Sequence, residues 1–187
     1  EDALKLAREL VAENPSDPGI IMVLGNAQLA LGDFSAAEAT FREATQQEGA
    51  TTMATMQLLR TLGIQGRDDE AAALIDTALA ETPGNPDLLW AKASFLEQAN
   101  DIDGAIGIYE ELYAQNSNNQ VVANNLASLL VTYRTDEASI ARAATVARRL
   151  RDTDFPPFQD TYGWLLYRQG SFEEAITYLE PAARALN

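Results

Sequence analysis

A period of 34 residues governs this chain. An alanine, an apolar residue four later and another three after that recur as Ala3/Ala7/Leu10, Ala37/Phe41/Ala44, Ala71/Ile75/Ala78 and Ala105/Tyr109/Leu112. The lead alanines stand 34 residues apart each time. The pattern returns as Ala143/Ala147/Leu150 after a four-residue insertion, and as Ala175/Leu179/Ala182 after a two-residue deletion. Offsets of four and three place all three residues on one helical face. Small residues on that face let two helices approach closely. Self-similarity at such a period is the mark of a repeat architecture.

Helix breakers keep the same period. Pro15, Gly49, Pro83 and Ser117 end successive units, and Gly32, Gly66, Asn100 and Gly170 fall inside them, five residues before the lead alanine. Each unit therefore reads as helix, short turn, helix. Asp17-Pro18 and Asn85-Pro86 read as an N-cap followed by proline in the first turn. Ser35 with Glu38, and Ser171 with Glu174, fit a capping box at the second helix. The spacing predicts first helices over 18–31, 52–65, 86–99, 120–133 and 157–169. It predicts second helices over 2–13, 35–47, 69–81, 103–115, 138–151 and 172–185. No stretch alternates with period two, so no strands are expected. The expected class is all-α: an array of antiparallel helix pairs. It forms one domain over 1–187, with a half repeat at 1–17 and repeats at 18–51, 52–85, 86–119, 120–155 and 156–187. Because the chain opens on a second helix, it reads as part of a longer array.

Composition narrows the function. The 187 residues contain neither cysteine nor histidine. That removes disulfide frameworks, Cys/His zinc sites, thiol nucleophiles and histidine-based serine triads. Asp plus Glu is 28 against 13 Lys plus Arg, a net charge of −15. Such a surface repels nucleic-acid phosphates and anionic lipid, so neither is an expected partner. No apolar run approaches the roughly 20 residues of a membrane-spanning helix, and no membrane insertion of this segment is expected. The charge is uneven: residues 1–119 carry a net −14 and residues 120–187 a net −1. Arg142, Arg148, Arg149 and Arg151 cluster in the latter. They read either as a solvated helix face or as a dock for an acidic partner, this protein's own acidic half in another copy included.

Val23-Leu24-Gly25-Asn26-Ala27, Leu31-Gly32-Asp33-Phe34-Ser35-Ala36-Ala37-Glu38 and Tyr167-Arg168-Gln169-Gly170-Ser171-Phe172-Glu173-Glu174-Ala175 resemble the tetratricopeptide repeat. The resemblance covers essentially the whole chain. It implies a right-handed superhelical solenoid of antiparallel helix pairs and an interaction scaffold with a protein or peptide partner. More narrowly, 123–130, Arg134-Thr135-Asp136 and Asp160-Thr161-Tyr162-Gly163-Trp164 resemble long proteobacterial repeat proteins. Some of those are envelope lipoproteins associated with exopolysaccharide export. That resemblance implies a structural or assembly subunit in the bacterial periplasm or envelope, with the cytoplasm as the alternative compartment. The sequence departs from the repeat at Lys92 and Gln28, which stand in apolar slots, and at the insertion 132–136.

In the family the first helices line a concave surface. The candidate partner-binding residues are accordingly Met22, Asn26, Met56, Arg60, Trp90, Ser94, Asn124, Ser128 and Trp164. A family subset binds chaperone C-terminal carboxylates through lysines, but Met22 and Met56 stand where one is needed, so that mode is rejected. The row is instead an apolar and amide surface, with methionine adaptable and tryptophan a rigid anchor. The competing reading packs Trp90 and Trp164 against neighbouring helices. Asp101-Ile102-Asp103-Gly104 resembles the start of a calcium loop, but Leu112 fills the glutamate slot, so it reads as a helix-capping turn. The turns at Asp33 and at 67–70 read the same way. The glycines form neither GxGxxG nor a P-loop. No catalytic residue, metal or cofactor is expected. Leu4, Leu6, Leu10 and Val11 cannot all be covered by the following unit, so self-association through exposed solenoid ends is expected.

Overall fold

The computed structural model describes residues 2–47 and 51–186. Gly49, read above as a unit terminator, lies outside them. Eleven α-helices occur among the described residues. They are α1 Asp2–Glu13, α2 Pro18–Ala30, α3 Phe34–Ala44, α4 Thr51–Ile64, α5 Asp68–Glu81, α6 Pro86–Gln98, α7 Ile102–Gln115, α8 Gln120–Tyr133, α9 Glu137–Ala147, α10 Pro156–Arg168 and α11 Phe172–Leu186. A 3-10 turn, Arg148–Leu150, tightens the end of α9. The described residues contain no strand. The chain gathers into two compact units, 1–91 and 92–187, divided within α6. In the first, α1 packs on α2, α2 on α3, α3 on α4 and α4 on α5. In the second, α7 packs on α8, α8 on α9 and α10, and α10 on α11.

Local chemistry accounts for the helix ends. Asp17 Oδ1 accepts from the Gly19 and Ile20 amides at 2.8 and 3.2 Å. Asn85 Oδ1 accepts from Asp87 and Leu88 at 3.1 and 3.2 Å. Both caps precede proline in the first turn, as predicted. Asp101 Oδ1 accepts from Gly104 at 3.0 Å, so the calcium-like stretch is a capping turn. The capping box at Ser35 does not form. Asp33 caps α3 through the Ala36 amide at 3.2 Å, and Glu38 is drawn away to two arginines. At the 67–70 turn Arg67 occupies the cap position without a side-chain cap bond. It binds Glu70 instead, at 2.6 and 2.7 Å. The intra-unit turns need a left-handed residue: Gly32, Gly66 and Gly170 have φ of +77°, +68° and +82°, and Asn100 has +59°.

The insertion is absorbed as helix. The lead alanine is the fourth residue of α3, α5, α7 and α11, but the seventh of α9. Three added residues make nearly one turn, so Ala143, Ala147 and Leu150 still face inward and are fully buried. Arg134, in the place of the turn glycine, is extended at φ −114°.

Core packing follows the triads. Ala37, Phe41, Ala44, Ala71, Ile75, Ala105 and Tyr109 are essentially inaccessible, whereas Ala3 is exposed. Gly25 is required by Phe41: a Cβ on Gly25 would lie 2.4 Å from Phe41 Cε1. Gly163 meets Leu179 in the same way, its added Cβ falling 2.7 Å from Leu179 Cγ. Gln28, in an apolar slot, is buried but satisfied, accepting from Thr40 Oγ1 at 2.7 Å.

A candidate partner-binding surface on the first helices

The structure distributes the nine candidate residues over five first helices. Met22 and Asn26 stand on α2, Met56 and Arg60 on α4, and Trp90 and Ser94 on α6. Asn124 and Ser128 stand on α8, and Trp164 on α10. Met22 is only 5 % exposed, so it packs inside and offers no open contact. Asn26 and Arg60 are exposed, and Met56, Ser94, Asn124 and Ser128 are half-buried. Ser94 Oγ accepts from Gln98 Nε2 at 3.3 Å. Trp90 is half-buried and engaged within the chain. Trp164 is 39 % exposed and lies against Tyr167, ring centroids 5.0 Å apart and planes 11° apart. Tyr167 in turn meets Phe172 at 5.4 Å. An aromatic ladder thus rises from α10 onto the start of α11.

The second unit also holds a polar relay that the sequence reading missed. The Tyr109 phenol donates to Glu97 Oε1 at 2.7 Å and accepts from Asn125 Nδ2 at 3.0 Å. Asn125 Oδ1 accepts from Asn124 Nδ2 at 3.3 Å. Burial, then the Glu97 hydrogen bond, push the Tyr109 pKa well above its ordinary value, so the phenol remains a donor. The relay stops at Asn124, whose Oδ1 is buried and has no partner. Gln57 Oε1 on α4, in the first unit, is the other such atom among the described residues. Buried side-chain oxygens are nearly always paired, and leaving one unpaired costs about 1–3 kcal/mol. The adjacent asparagines at 124 and 125 were the only sequence signal. It becomes legible only once Tyr109 is known to reach them from α7.

The arginines are partly consumed within the chain. Arg142 grips Glu110 through Nε and Nη2 at 2.9 and 2.5 Å and lies 5.2 Å from the Tyr113 ring centroid. Arg149 donates to Asn118 Oδ1 at 2.6 Å and Ser117 Oγ at 3.3 Å. Tyr162 and then Tyr178 raise the Arg151 pKa, placing that guanidinium beside α10 and α11. Glu38 is held below the usual carboxylate range, first by the Arg67 hydrogen bond at 2.5 Å and also by Arg42 at 2.8 Å, against the opposing effect of burial. The described residues hold no cluster of potential metal ligands. No helix among them is long and apolar enough to cross a membrane.

Comparison with known proteins gives this geometry a family. A model described as tetratricopeptide repeat matches residues 1–57 and 64–129. A tetratricopeptide repeat protein from Parabacteroides merdae superposes with a TM-score of 0.72 at 16 % identity, covering 90 % of this chain and 66 % of that one. YrrB, described as a TPR protein with an unusual peptide-binding site, superposes at 0.67 and 16 % identity, covering 96 % and 92 %. Protein adenylyltransferase Fic of Drosophila virilis is 32 % identical over 101 residues, 53 % of this chain. The matched stretch is 21 % of that enzyme, so the chain spans about a fifth of that relative. Repeats of this kind are generally non-catalytic and serve as interaction scaffolds. The family match covers more than half of the sequence and the helix-pair fold agrees with it: the chain belongs to the tetratricopeptide repeat family.

Proposed function

We propose that this chain is a non-catalytic scaffold that holds an extended partner segment along its first helices. The observation that carries the reading is the pair of unpaired amide acceptors, Gln57 Oε1 on α4 and Asn124 Oδ1 on α8. Each lies on a helix that the sequence assigns to the binding surface, beside Met56 and Arg60 in one unit and Ser128 in the other. A bound backbone supplies the missing N–H donors. Trp90 and Trp164 offer the large rigid anchors that dominate such interfaces. The peptide-binding site attributed to the structural neighbour YrrB is consistent with this use of the fold.

The test begins with a pull-down using the intact chain, the captured segment being identified by mass spectrometry and its affinity then measured on two variants. Asn124→Leu should change the melting temperature little, because removal of the buried unpaired acceptor offsets loss of the Nδ2–H bond to Asn125. It should weaken the partner roughly tenfold, the loss of one good hydrogen bond. Trp90→Ala should weaken binding roughly 30-fold, corresponding to about 2 kcal/mol, with helical content retained. Unaltered affinity in both variants, with Trp90→Ala several degrees less stable, would remove the first-helix surface from the interface.

A second reading, an assembly subunit of an envelope system, draws on three exposed apolar residues. Leu6 on α1 is 57 % exposed, and Phe172 and Ile176 on α11 are each 54 % exposed. Phe34, Ile102 and Ile140, at the register position of Phe172, are half-buried. Under this reading, mass by light scattering rises with concentration, and Phe172→Ser abolishes the rise.

A further inference from the structure

From the second helices of the 92–187 unit we infer a second binding site, for an acidic peptide segment. It is independent of the first-helix surface. Tyr113 of α7, Thr145 of α9 and Arg148 and Arg149 of the 3-10 turn line an open cleft of about 420 Å³. Across 142–151 there are four arginines and no acidic residue, a local charge of +4 in a protein of net −15. Asp152 and Asp154, just beyond, are exposed and are not among the cleft walls.

The arrangement is more than a solvated basic face. Arg142, Arg149 and Arg151 have partners within the chain, and these hold the cluster in shape. The Arg142 guanidinium, fixed by Glu110, sits over Tyr113 and orients that ring. Arg149 is held by Asn118 and Ser117, and its carbonyl accepts from Gln120 Nε2 at 3.0 Å. Thr145 Oγ1 donates back to the Ala141 carbonyl at 3.0 Å, fixing its rotamer. Arg148 alone remains: it is exposed, lines the cleft, and has no carboxylate partner among the described residues. An immobile wall thus presents one unpaired guanidinium fork beside a second, pinned one. That geometry suits a carboxylate, which takes two parallel N–H bonds from arginine. Tyr113 adds an apolar face for the stem of a glutamate. Repulsion from the acidic remainder of the molecule decays over a Debye length of about 10 Å at 0.1 M salt, so contact with the local cluster prevails at ordinary ionic strength.

The test is fluorescence anisotropy with a labelled octaglutamate peptide on the full chain in about 0.1 M salt. Saturable binding is expected. Arg148→Gln, which breaks no hydrogen bond or ion pair among the described residues, should weaken it roughly tenfold at an unchanged melting temperature. Arg148→Lys should recover only part of the loss, because lysine keeps the charge without the fork. Arg184→Gln on α11 serves as the control for net charge and should leave binding within about twofold. The inference is overturned by absence of saturable binding or by equal losses in Arg148→Gln and Arg184→Gln. Displacement of the peptide by tripolyphosphate at concentrations far below those of octaglutamate would also overturn it, by marking the cleft as a phosphate site.

Discussion

Single residues here carry strict spatial demands. Gly25 lets α2 approach Phe41 of α3 so closely that no Cβ fits. Gly25→Ala gains about 1 kcal/mol of helix propensity but forces overpacking that costs about 1–3 kcal/mol. The expected net result is a lower melting temperature, and adding Phe41→Leu should restore part of it. Thermal denaturation of the two variants checks this; a fully stable Gly25→Ala would show that the interface has room to spare. Glu38 makes a different demand. Its folded pKa lies below the unfolded value near 4.5. The stabilisation is therefore fully present above that pH and is lost as pH falls through the depressed folded value. Glu38→Gln should lower the melting temperature by roughly 2–4 °C at pH 7, for a loss of about 1 kcal/mol. The gap should close progressively below pH 4.5, and a pH-independent gap would mean that shape rather than charge is at stake.

At the scale of helices, the insertion and the polar Asn124, Asn125 and Ser128 would by themselves make the unit at 120–155 the weakest of the array. The structure argues the reverse. Val122, Leu126, Leu130 and Val131 of α8 are buried, and the added turn of α9 keeps Ala143, Val146 and Leu150 inside. Ties from neighbouring repeats close over it: Arg142 to Glu110, Arg134 to Asp103, and Arg168 of α10 to the carbonyls of Val131 and Arg134. Arg168 thereby caps the carbonyl end of α8 from another helix, the part that Gly32 and Gly66 play locally in earlier units. Amide hydrogen exchange should show protection over 122–131 equal to or above that over 35–82. Arg168→Ala should lower it by exposing those carbonyls. Faster exchange over 122–131 in the intact chain would restore the reading from sequence. Helix starts are local by comparison: Asp17→Ala should cost about 1 kcal/mol, with exchange accelerated chiefly in α2.

For the molecule as a whole, a net charge of −15 opposes both collapse and self-contact at neutral pH. As carboxylates protonate toward the isoelectric point near 4.2, that repulsion disappears. The exposed Phe172, Ile176 and Leu6 then have no electrostatic barrier to association. Light scattering should rise sharply between pH 5 and 4, referred to that isoelectric point, and less so in Phe172→Ser. Equal aggregation in the two would place the contact elsewhere.

What the sequence determined by itself was most of what acts along one helix and its turns. The 34-residue period is written there, as are the helix bounds to within one residue except at the ends of α3 and α9, which stop three and four residues short of the expected 47 and 151. The left-handed turns at Gly32, Gly66, Asn100 and Gly170 and the proline-backed caps at Asp17 and Asn85 follow from interactions spanning four residues or fewer. What the tertiary structure decided is which polar groups meet across repeats. Glu38 leaves its capping box for Arg67, 29 residues away. Tyr109 reaches Asn125, and Arg168 reaches Val131. It also decided which side-chain acceptors stay buried and unmet among the described residues, Gln57 Oε1 and Asn124 Oδ1, on which the proposed first-helix surface rests. The reason is physical. Backbone preference and apolar periodicity are written in neighbouring residues. The pairing of a long polar side chain depends on its rotamer and on how closely two helices approach. That approach is set by volumes such as Phe41 against Gly25 on another helix.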